Sequence, residues 1–264
     1  IEAYKDTLVF ALEKKLGIII SYEKMTPSII NSAKISNIIV FDTKDNSKLA
    51  IIPSIRVYFS ILSLLRGNFD NFISAISING LEINYDDFLN SHILENIQSF
   101  IETKPESEEK EEKIAIYLPF AVHFNALTIH YKNEDLDAQL LLKTLKLLPQ
   151  TAYKATGYKA DGAAKLFFYK QDLAFLNNTT FNFSAQGSLA SFFDVSFLQL
   201  RVSKLKNDSF ILQAFDLAII HENDMVRFSF LQNAGAIALK ASYDLHSKDI
   251  IASLKTFNFS PQKL

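Results

Sequence analysis

Residues 121–131 read Ala-Val-His-Phe-Asn-Ala-Leu-Thr-Ile-His-Tyr, and this stretch is the clearest indication of the fold class. Its large apolar side chains alternate with small or polar ones: Val122, Phe124, then Leu127, Ile129 and Tyr131. Successive side chains of a β-strand point to opposite faces, so this alternation predicts a strand with one apolar face. The same pattern recurs along the chain, for example in residues 237–245, over more length than one compact core needs. A sheet of such strands must cover its apolar face with something.

The composition supports long strands joined by few turns. The chain has 264 residues, of which 48% are hydrophobic, enough for one elongated all-β domain or for two ordinary domains. Phe is abundant, with 23 residues, whereas Trp is absent. Only 7 residues are Gly, which is few for a sheet protein with many tight turns. We therefore predict a mainly β fold with a few short helices.

The charge and the termini limit the choice of partner and compartment. The formal net charge of −2 argues against nucleic-acid binding, which favours a basic surface. The chain contains no Cys, so disulfides and thiolate metal sites are excluded. No apolar run approaches the roughly 18 to 20 residues that span a bilayer, and no signal peptide is visible. Because the chain opens on Ile1 rather than Met, we expect it to be a fragment or a processed form.

The sequence divides into three parts. Residues 1–104 form an N-terminal α+β part, residues 105–113 a charged and flexible loop, and residues 114–264 a long-stranded part that continues the same sheet. In the first part, residues 1–16 have helical apolar spacing and Gly17 stands at the stop position, which predicts an amphipathic helix. This helix either packs on the end of the sheet or lies on a membrane surface. A second helix, with one apolar stripe, is predicted at residues 87–103.

Two stretches are ambiguous by pattern alone. Before Asn79-Gly80 the alternating apolar residues stand at even-numbered positions, and after it they stand at odd-numbered positions. This shift of one residue fits a two-residue hairpin or a single strand with a glycine bulge. We favour the bulge because the hairpin arms would be short. Residues 138–148 are rich in Leu and satisfy a helix and a buried strand about equally.

Alternate positions in the predicted strands are expected to converge on one continuous apolar surface. These positions are Ile76, Ile78, Val122, Phe124, Ile129, Phe181, Phe183, Val195, Phe197, Phe228, Phe230, Leu239 and Tyr243.

The sequence contains no motif for catalysis or metal binding. His123 and His130 are seven residues apart in a predicted strand, so they are expected to lie on opposite faces of the sheet. No His-x-His or His-x-x-x-His pair occurs. No Gly-x-Ser-x-Gly elbow, phosphate loop or dinucleotide fingerprint is present. The acidic residues lie mainly in predicted turns. We therefore expect a non-enzyme with no cofactor and no metal.

The order of parts from Leu12 to Tyr131 resembles the N-terminal portion of the AsmA-like and TamB-like envelope proteins of diderm bacteria. The resemblance rests on residues 29–38, the turn at residues 42–48, the Leu-Leu-x-Gly step at residues 64–67 and the element at residues 76–83. A helix, a charged loop and a new strand region that begins at Leu118-Pro119-Phe120 complete the resemblance.

The resemblance implies an elongated, curled antiparallel sheet whose apolar inner wall forms a groove. It implies a non-enzymatic carrier of phospholipid or another acyl lipid, in the membrane-proximal segment of a bridge that spans the periplasm. The bridge would be anchored to the inner membrane by a helix upstream of this chain. One alternative is a scaffold that assembles outer-membrane or other envelope proteins by β-strand docking, and another is a closed β-sandwich binding protein.

Overall fold

A computed structural model describes residues 10, 13–14, 16–27, 31–66, 72–102, 118–150, 155–170, 173, 176–189, 195–207, 211–222, 224–232 and 237–256. The described strands form one mixed sheet of 16 strands, and two helices accompany it. The predicted loop at residues 105–113 and most of the predicted helix at residues 1–16 lie outside the described residues.

The helices are α1 (Ile61–Leu65) and α2 (Asp87–Glu102). The strands are β1 (Ile18–Ser21), β2 (Lys24–Pro27), β3 (Ser32–Asp42), β4 (Lys48–Phe59), β5 (Ile73–Asn79), β6 (Glu82–Asp86), β7 (Ala121–Lys132), β8 (Leu136–Gln150), β9 (Ala155–Phe168), β10 (Thr179–Leu189), β11 (Val195–Lys206), β12 (Ile211–Leu212), β13 (Phe215–Glu222), β14 (Met225–Gln232), β15 (Ile237–Asp244) and β16 (Ile250–Thr256). The ambiguous stretch at residues 138–148 is therefore a strand.

The mainly β fold with short helices is confirmed, with one correction to the sheet. Most neighbours are antiparallel, but β5 and β6 both run parallel to β7. A parallel neighbour needs a crossover connection, and here the connection from β6 to β7 contains α2. The sheet order begins at β1 and ends at β16, so the described strands form an open sheet rather than the alternative closed sandwich.

The predicted first helix ends where the sequence indicated. The Gly17 N–H donates to the Glu13 carbonyl at 3.0 Å, which is a helical hydrogen bond. Gly17 then takes a φ of +69°, the left-handed conformation that ends many helices.

A line of irregular residues, which we call the crease, crosses five neighbouring strands. It consists of Asn37, Pro53, Gly80, Ala126 and Lys143, each of which interrupts a run of regular pairs. Three of them have positive φ values, 52° at Asn37, 71° at Gly80 and 58° at Ala126. Because a creased position has no regular ladder bond to lose, Pro53 is tolerated inside the sheet.

At the crease, each of the five strands changes by one residue which alternate positions face a given side of the sheet. In β7, Phe124 and Leu127 therefore lie on one face although they are three residues apart. β5 and β6 keep the same offset to β7 on both sides of Gly80, so they are one strand with a bulge, as predicted. The crease ends between β8 and β9, because Lys143 is an extra residue with no partner in β9: Leu142 pairs with Gly162 and Thr144 with Asp161.

We predict that Gly80→Ala lowers the free energy of unfolding by about 1 to 2 kcal/mol, because an L residue is strained at this φ. An added Cβ would also lie 3.0 Å from Pro53 Cγ. Conversely, Ala126→Gly should raise the free energy of unfolding by about 1 kcal/mol. Urea denaturation of both variants tests these opposite signs.

Ala163→Gly is the matched control for Ala126→Gly. Ala163 lies in β9 outside the crease and has regular partners, Leu141 and Asn182, on both sides, so removing its methyl group should lower stability by about 0.5 to 1 kcal/mol. Equal losses at positions 126 and 163 would contradict the strain assigned to the crease.

Candidate functional site

One row of directly paired residues runs across thirteen strands and is apolar at every position. We call it the apolar row: Met25, Ile35, Ile55, Ile78, Phe124, Leu145, Ala160, Ala185, Leu200, Leu217, Phe230, Leu239 and Leu254. Paired residues point to the same face, so these side chains share one face of the sheet, the apolar face. With neighbouring strands about 4.8 Å apart, the row is about 58 Å long.

The sequence neighbours of these residues form a polar row on the opposite face. It consists of Lys24, Ser36, Ser54, Asn79, Asn125, Thr144, Asp161, Ser184, Arg201 and Asp216. Asn125 Nδ2 donates to Asn79 Oδ1 at 2.9 Å, and Arg201 Nε donates to Asp216 Oδ1 at 2.6 Å. The Arg201 guanidinium holds the pKa of Asp216 below its ordinary value through this hydrogen bond. The two faces of the sheet therefore differ in chemistry at adjacent backbone positions.

Charge is nearly excluded from the apolar face. Among the described strand residues, no Lys, Arg or Glu has a register that places it on this face, and its one Asp is Asp42. The apolar face includes a packed cluster around Leu127, Leu142 and Ala160, whose exposed fractions are 4%, 7% and 7%. An ionised group there would be desolvated at a large cost in free energy.

Small residues occupy the middle of the apolar face. β9 presents Ala160, Gly162 and Ala164 there, and Ala185 of β10 pairs with Ala160. A Cβ on Gly162 would lie 2.3 Å from the Leu141 carbonyl oxygen, so no larger residue fits without a shift of backbone. Phe183 of β10 lies directly opposite Gly162. The side chains on the apolar face are therefore short at these three positions of β9, and larger side chains such as Phe183 lie beside them.

The register places twelve of the thirteen residues predicted from the sequence on the apolar face. They are Ile76, Ile78, Val122, Phe124, Ile129, Phe181, Phe183, Val195, Phe228, Phe230, Leu239 and Tyr243. For Val195 this placement rests on the backbone pairing with Leu189, because its side chain is outside the described part.

The prediction for Phe197 was wrong. Phe197 pairs with Ser188 and Ile220 and therefore lies on the opposite face, with 36% of its surface exposed. The cause is a register shift between Ser188 and Leu189 in their pairing with β11, which changes the parity between Val195 and Phe197.

The prediction for the two histidines was also wrong. His123 pairs with Lys146 and His130 with Gln139, and both lie on the polar face. The crease at Ala126 changes the parity between them, so an odd separation no longer means opposite faces. The described residues contain no group of three His, Cys, Asp or Glu arranged to hold a metal ion.

Several residues of the apolar row were missed by the sequence analysis. Leu200 and Leu217 lie in strands with apolar residues on both faces, so the sequence pattern does not show which alternate residues share the apolar face. The polar residues Gln199 and Arg201 of β11 are the signal that would have assigned Leu200 to the apolar face. Ala160 and Ala185 give no such signal because Ala is common on both faces of sheets.

Helix α2 covers one end of the apolar face. Ile93 of α2 packs with Ile18 and Leu49 in a buried cluster that Ile20 and Val40 extend. Asn96 Nδ2 of α2 donates to the Leu16 carbonyl at 3.1 Å, so the end of the N-terminal helix meets α2 at the same place.

Asp42 of β3 holds α2 on the sheet by hydrogen bonds to two residues of the helix. Its side chain is fully buried and accepts hydrogen bonds from Asn90 Nδ2 at 2.9 Å and His92 Nε2 at 3.1 Å, and from the Lys44 N–H at 2.8 Å. Burial alone would raise the pKa of Asp42, but these hydrogen bonds and the nearby His92 lower it below its ordinary value. The ionised carboxylate therefore stabilises the docked helix.

We predict that Asp42→Asn lowers the free energy of unfolding at pH 7 by about 2 kcal/mol, because the neutral amide keeps only one of the two acceptor oxygens that Asn90 and His92 use. A lowered folded pKa stabilises the protein above the unfolded pKa, and this stabilisation is lost as pH falls through the folded pKa. The wild type should therefore lose more stability than the variant as pH falls below the ordinary value of 3.8. Guanidinium denaturation at pH 7, 4 and 3 measures the difference.

Asp45→Asn is the control, because Asp45 is exposed in the same turn and accepts from the Ser47 N–H. Its effect should stay below about 1 kcal/mol. Equal effects of the two substitutions would show that Asp42 does not hold α2.

No helix in the described part of the chain has the length and hydropathy needed to cross a bilayer. A search of curated proteins found no match. A family model, TP_0324_N, described as an N-terminal domain, matches residues 1–168. That description names no activity, so the resemblance to envelope lipid carriers remains an expectation. Because the match covers more than half of the 264 residues, the chain belongs to the TP_0324_N family.

Proposed function

We propose that this protein is a non-enzymatic lipid carrier whose apolar face shields the acyl chains of phospholipid or a similar lipid. The observation that carries the proposal is the apolar row, which is unbroken over thirteen strands. The resemblance adds the setting: a bridge in the periplasm of a diderm bacterium, anchored to the inner membrane and directed to the outer membrane.

The energetics favour a long apolar path over a single pocket. Each methylene group removed from water contributes about 0.8 kcal/mol, so an acyl chain gains most from contact along its whole length. The apolar row supplies similar contacts at every strand, and a lipid moved by one strand finds nearly the same surface. Binding without a deep minimum at any one position is the property that transfer needs.

The lack of charge on the apolar face is as important as its apolar residues. A buried, unpaired carboxylate costs several kcal/mol, which would offset the contribution of several methylene groups. The described apolar face has one carboxylate, Asp42, and α2 covers it. An acyl chain on the row would therefore meet no ionised group between β2 and β16.

The end covered by α2 is suited to lie near a membrane. Phe88 and Leu89 of α2 have exposed fractions of 81% and 51%. The N-terminal helix ends against α2 at Leu16, and the resemblance places the membrane anchor upstream of that helix. Exposed aromatic and aliphatic side chains at this end fit contact with the bilayer surface.

The scaffold alternative is favoured by a different feature. Among the described strands, β16 is the last of the sheet order, and every residue in it is exposed. An open edge of this kind can accept a strand from another protein by main-chain hydrogen bonds. A scaffold would use this edge, whereas a carrier would use the face.

A photo-crosslinking amino acid should distinguish the two faces. We predict that benzoyl-phenylalanine at position 228 or 230 crosslinks to phospholipid in cells, whereas the same group at position 227 or 229 does not. Phe228 and Phe230 lie on the apolar face, and Arg227 and Ser229 lie on the opposite face of the same strand. Lipid adducts are measured by mass spectrometry of the purified protein.

The four positions are consecutive in β14, so expression, folding and probe chemistry are matched. Crosslinking that follows the period of two supports the carrier. Lipid adducts at all four positions, or at none of them, would contradict it, and protein adducts confined to probes in β16 would favour the scaffold.

A further inference from the structure

A second row of paired residues, on the face opposite the apolar row, carries only basic charges. We call it the basic row: Lys34, Arg56, Ser77, His123, Lys146 and Lys159. These residues lie directly opposite one another in neighbouring strands from β3 to β9, and each is one position along its strand from a member of the apolar row. The same line of pairs continues through Gln186 and Gln199 to Lys240 of β15 without an acidic residue.

Two of the cross-strand pairs in the basic row are unfavourable. Lys34 lies opposite Arg56, and Lys146 lies opposite Lys159. Like charges directly opposite each other destabilise a sheet, whereas opposite charges stabilise it. The basic row therefore weakens the sheet at two places, and its charges serve a purpose other than pairing the strands.

Opposite charges do pair elsewhere on this face. Arg201 lies opposite Asp216 in the polar row, and its guanidinium donates two hydrogen bonds to that carboxylate. Asp161, two residues from Lys159, accepts a hydrogen bond from Thr144 Oγ1 at 3.5 Å. In the described part of the chain, no carboxylate forms an ion pair with a side chain of the basic row. Its positive charge is thus left for a partner to neutralise.

We propose that the basic row binds an acidic, extended peptide segment of a partner protein. Arg56, Lys146 and Lys159 are exposed, so their charged groups are accessible. With strands about 4.8 Å apart, the row from Lys34 to Lys159 is about 24 Å long, which is the span of roughly seven extended residues. Several Glu or Asp residues within that length would place carboxylates against both like-charge pairs and relieve their repulsion. This site goes beyond the proposed carrier function and does not depend on it, because the lipid path lies on the other face.

The shape of the row favours a flexible chain over other anions. Neighbouring strands of a sheet are rotated by roughly 20°, so five steps turn the row by roughly 100°. A flat bilayer would meet only part of such a row, whereas an extended peptide can follow it. The row also contains no aromatic side chain, and proteins that bind single-stranded nucleic acid stack its bases on aromatic side chains beside the cations. An acidic peptide fits both observations.

Fluorescence anisotropy with labelled octaglutamate at low salt tests the proposal, with octaserine as the neutral peptide. We expect saturable binding of octaglutamate and no binding of octaserine. Lys146→Gln and Lys159→Gln should each weaken binding by about threefold, and together by about tenfold, because each removes one exposed ion pair with the peptide.

Lys165→Gln is the matched control, because it removes the same charge from the same face of β9. Lys165 lies six residues from Lys159, or about 20 Å along the strand. At 50 mM salt this distance exceeds the screening length of about 14 Å, so the affinity for octaglutamate should be nearly unchanged.

Urea denataturation separates the loss of binding from a loss of folding. Lys159→Gln removes a like-charge pair, so its urea midpoint should rise slightly although its affinity for octaglutamate falls. A lower midpoint would contradict the repulsion on which the proposal rests. Equal losses of affinity in Lys159→Gln and Lys165→Gln, or no binding of octaglutamate by the wild type, would overturn it. Binding to phosphatidylglycerol vesicles but not to octaglutamate would overturn it in favour of a membrane surface.

Discussion

The structure depends on one constraint: the period-two alternation of side chains must stay in register from strand to strand. A slip of one residue in one strand would move its apolar side chains to the other face. Over thirteen strands the register holds Met25 through Leu254 on one face, with the polar row beside it on the other. The chemistry of each face is therefore set by pairing rather than by any single strand.

The crease shows how strictly this constraint is kept. An extra residue in one strand would normally reverse its faces beyond that point. Here Asn37, Pro53, Gly80, Ala126 and Lys143 lie at the same level in neighbouring strands, so all five strands change parity together. The apolar face continues on both sides of the crease, and the backbone strain at Ala126 is the local cost of that continuity.

Much of the fold was predictable from local pattern, and the exceptions have physical reasons. Alternation in residues 121–131 and 237–245 identified strands and their apolar side. Asn79-Gly80 fitted a hairpin or a bulge, and the shortness of the hairpin arms favoured the bulge. Ala126 has a left-handed backbone without any glycine signal, so the shared face of His123 and His130 was not visible. The parallel arrangement of β5 and β7 depends on where α2 returns the chain, which no local pattern shows.

The candidate site was harder to predict than the fold. Sequence alternation identified the aromatic members, such as Phe124 and Phe230, because their size marks the face. Ala160 and Ala185 lie in the same row but have no size to mark it. Phe197 shows the opposite problem, since a large apolar residue lies on the other face next to a register shift.

The most direct test of the central claim is native mass spectrometry of the protein purified from cells without added lipid. We predict copurified phospholipid on the wild type and on Asn125→Asp, whose substitution lies on the polar face. We expect loss of that lipid from folded Phe124→Asp, whose new carboxylate lies in the apolar row one residue away. Lipid-free wild-type protein, or equal lipid on both variants, would contradict the claim that the apolar face binds acyl chains.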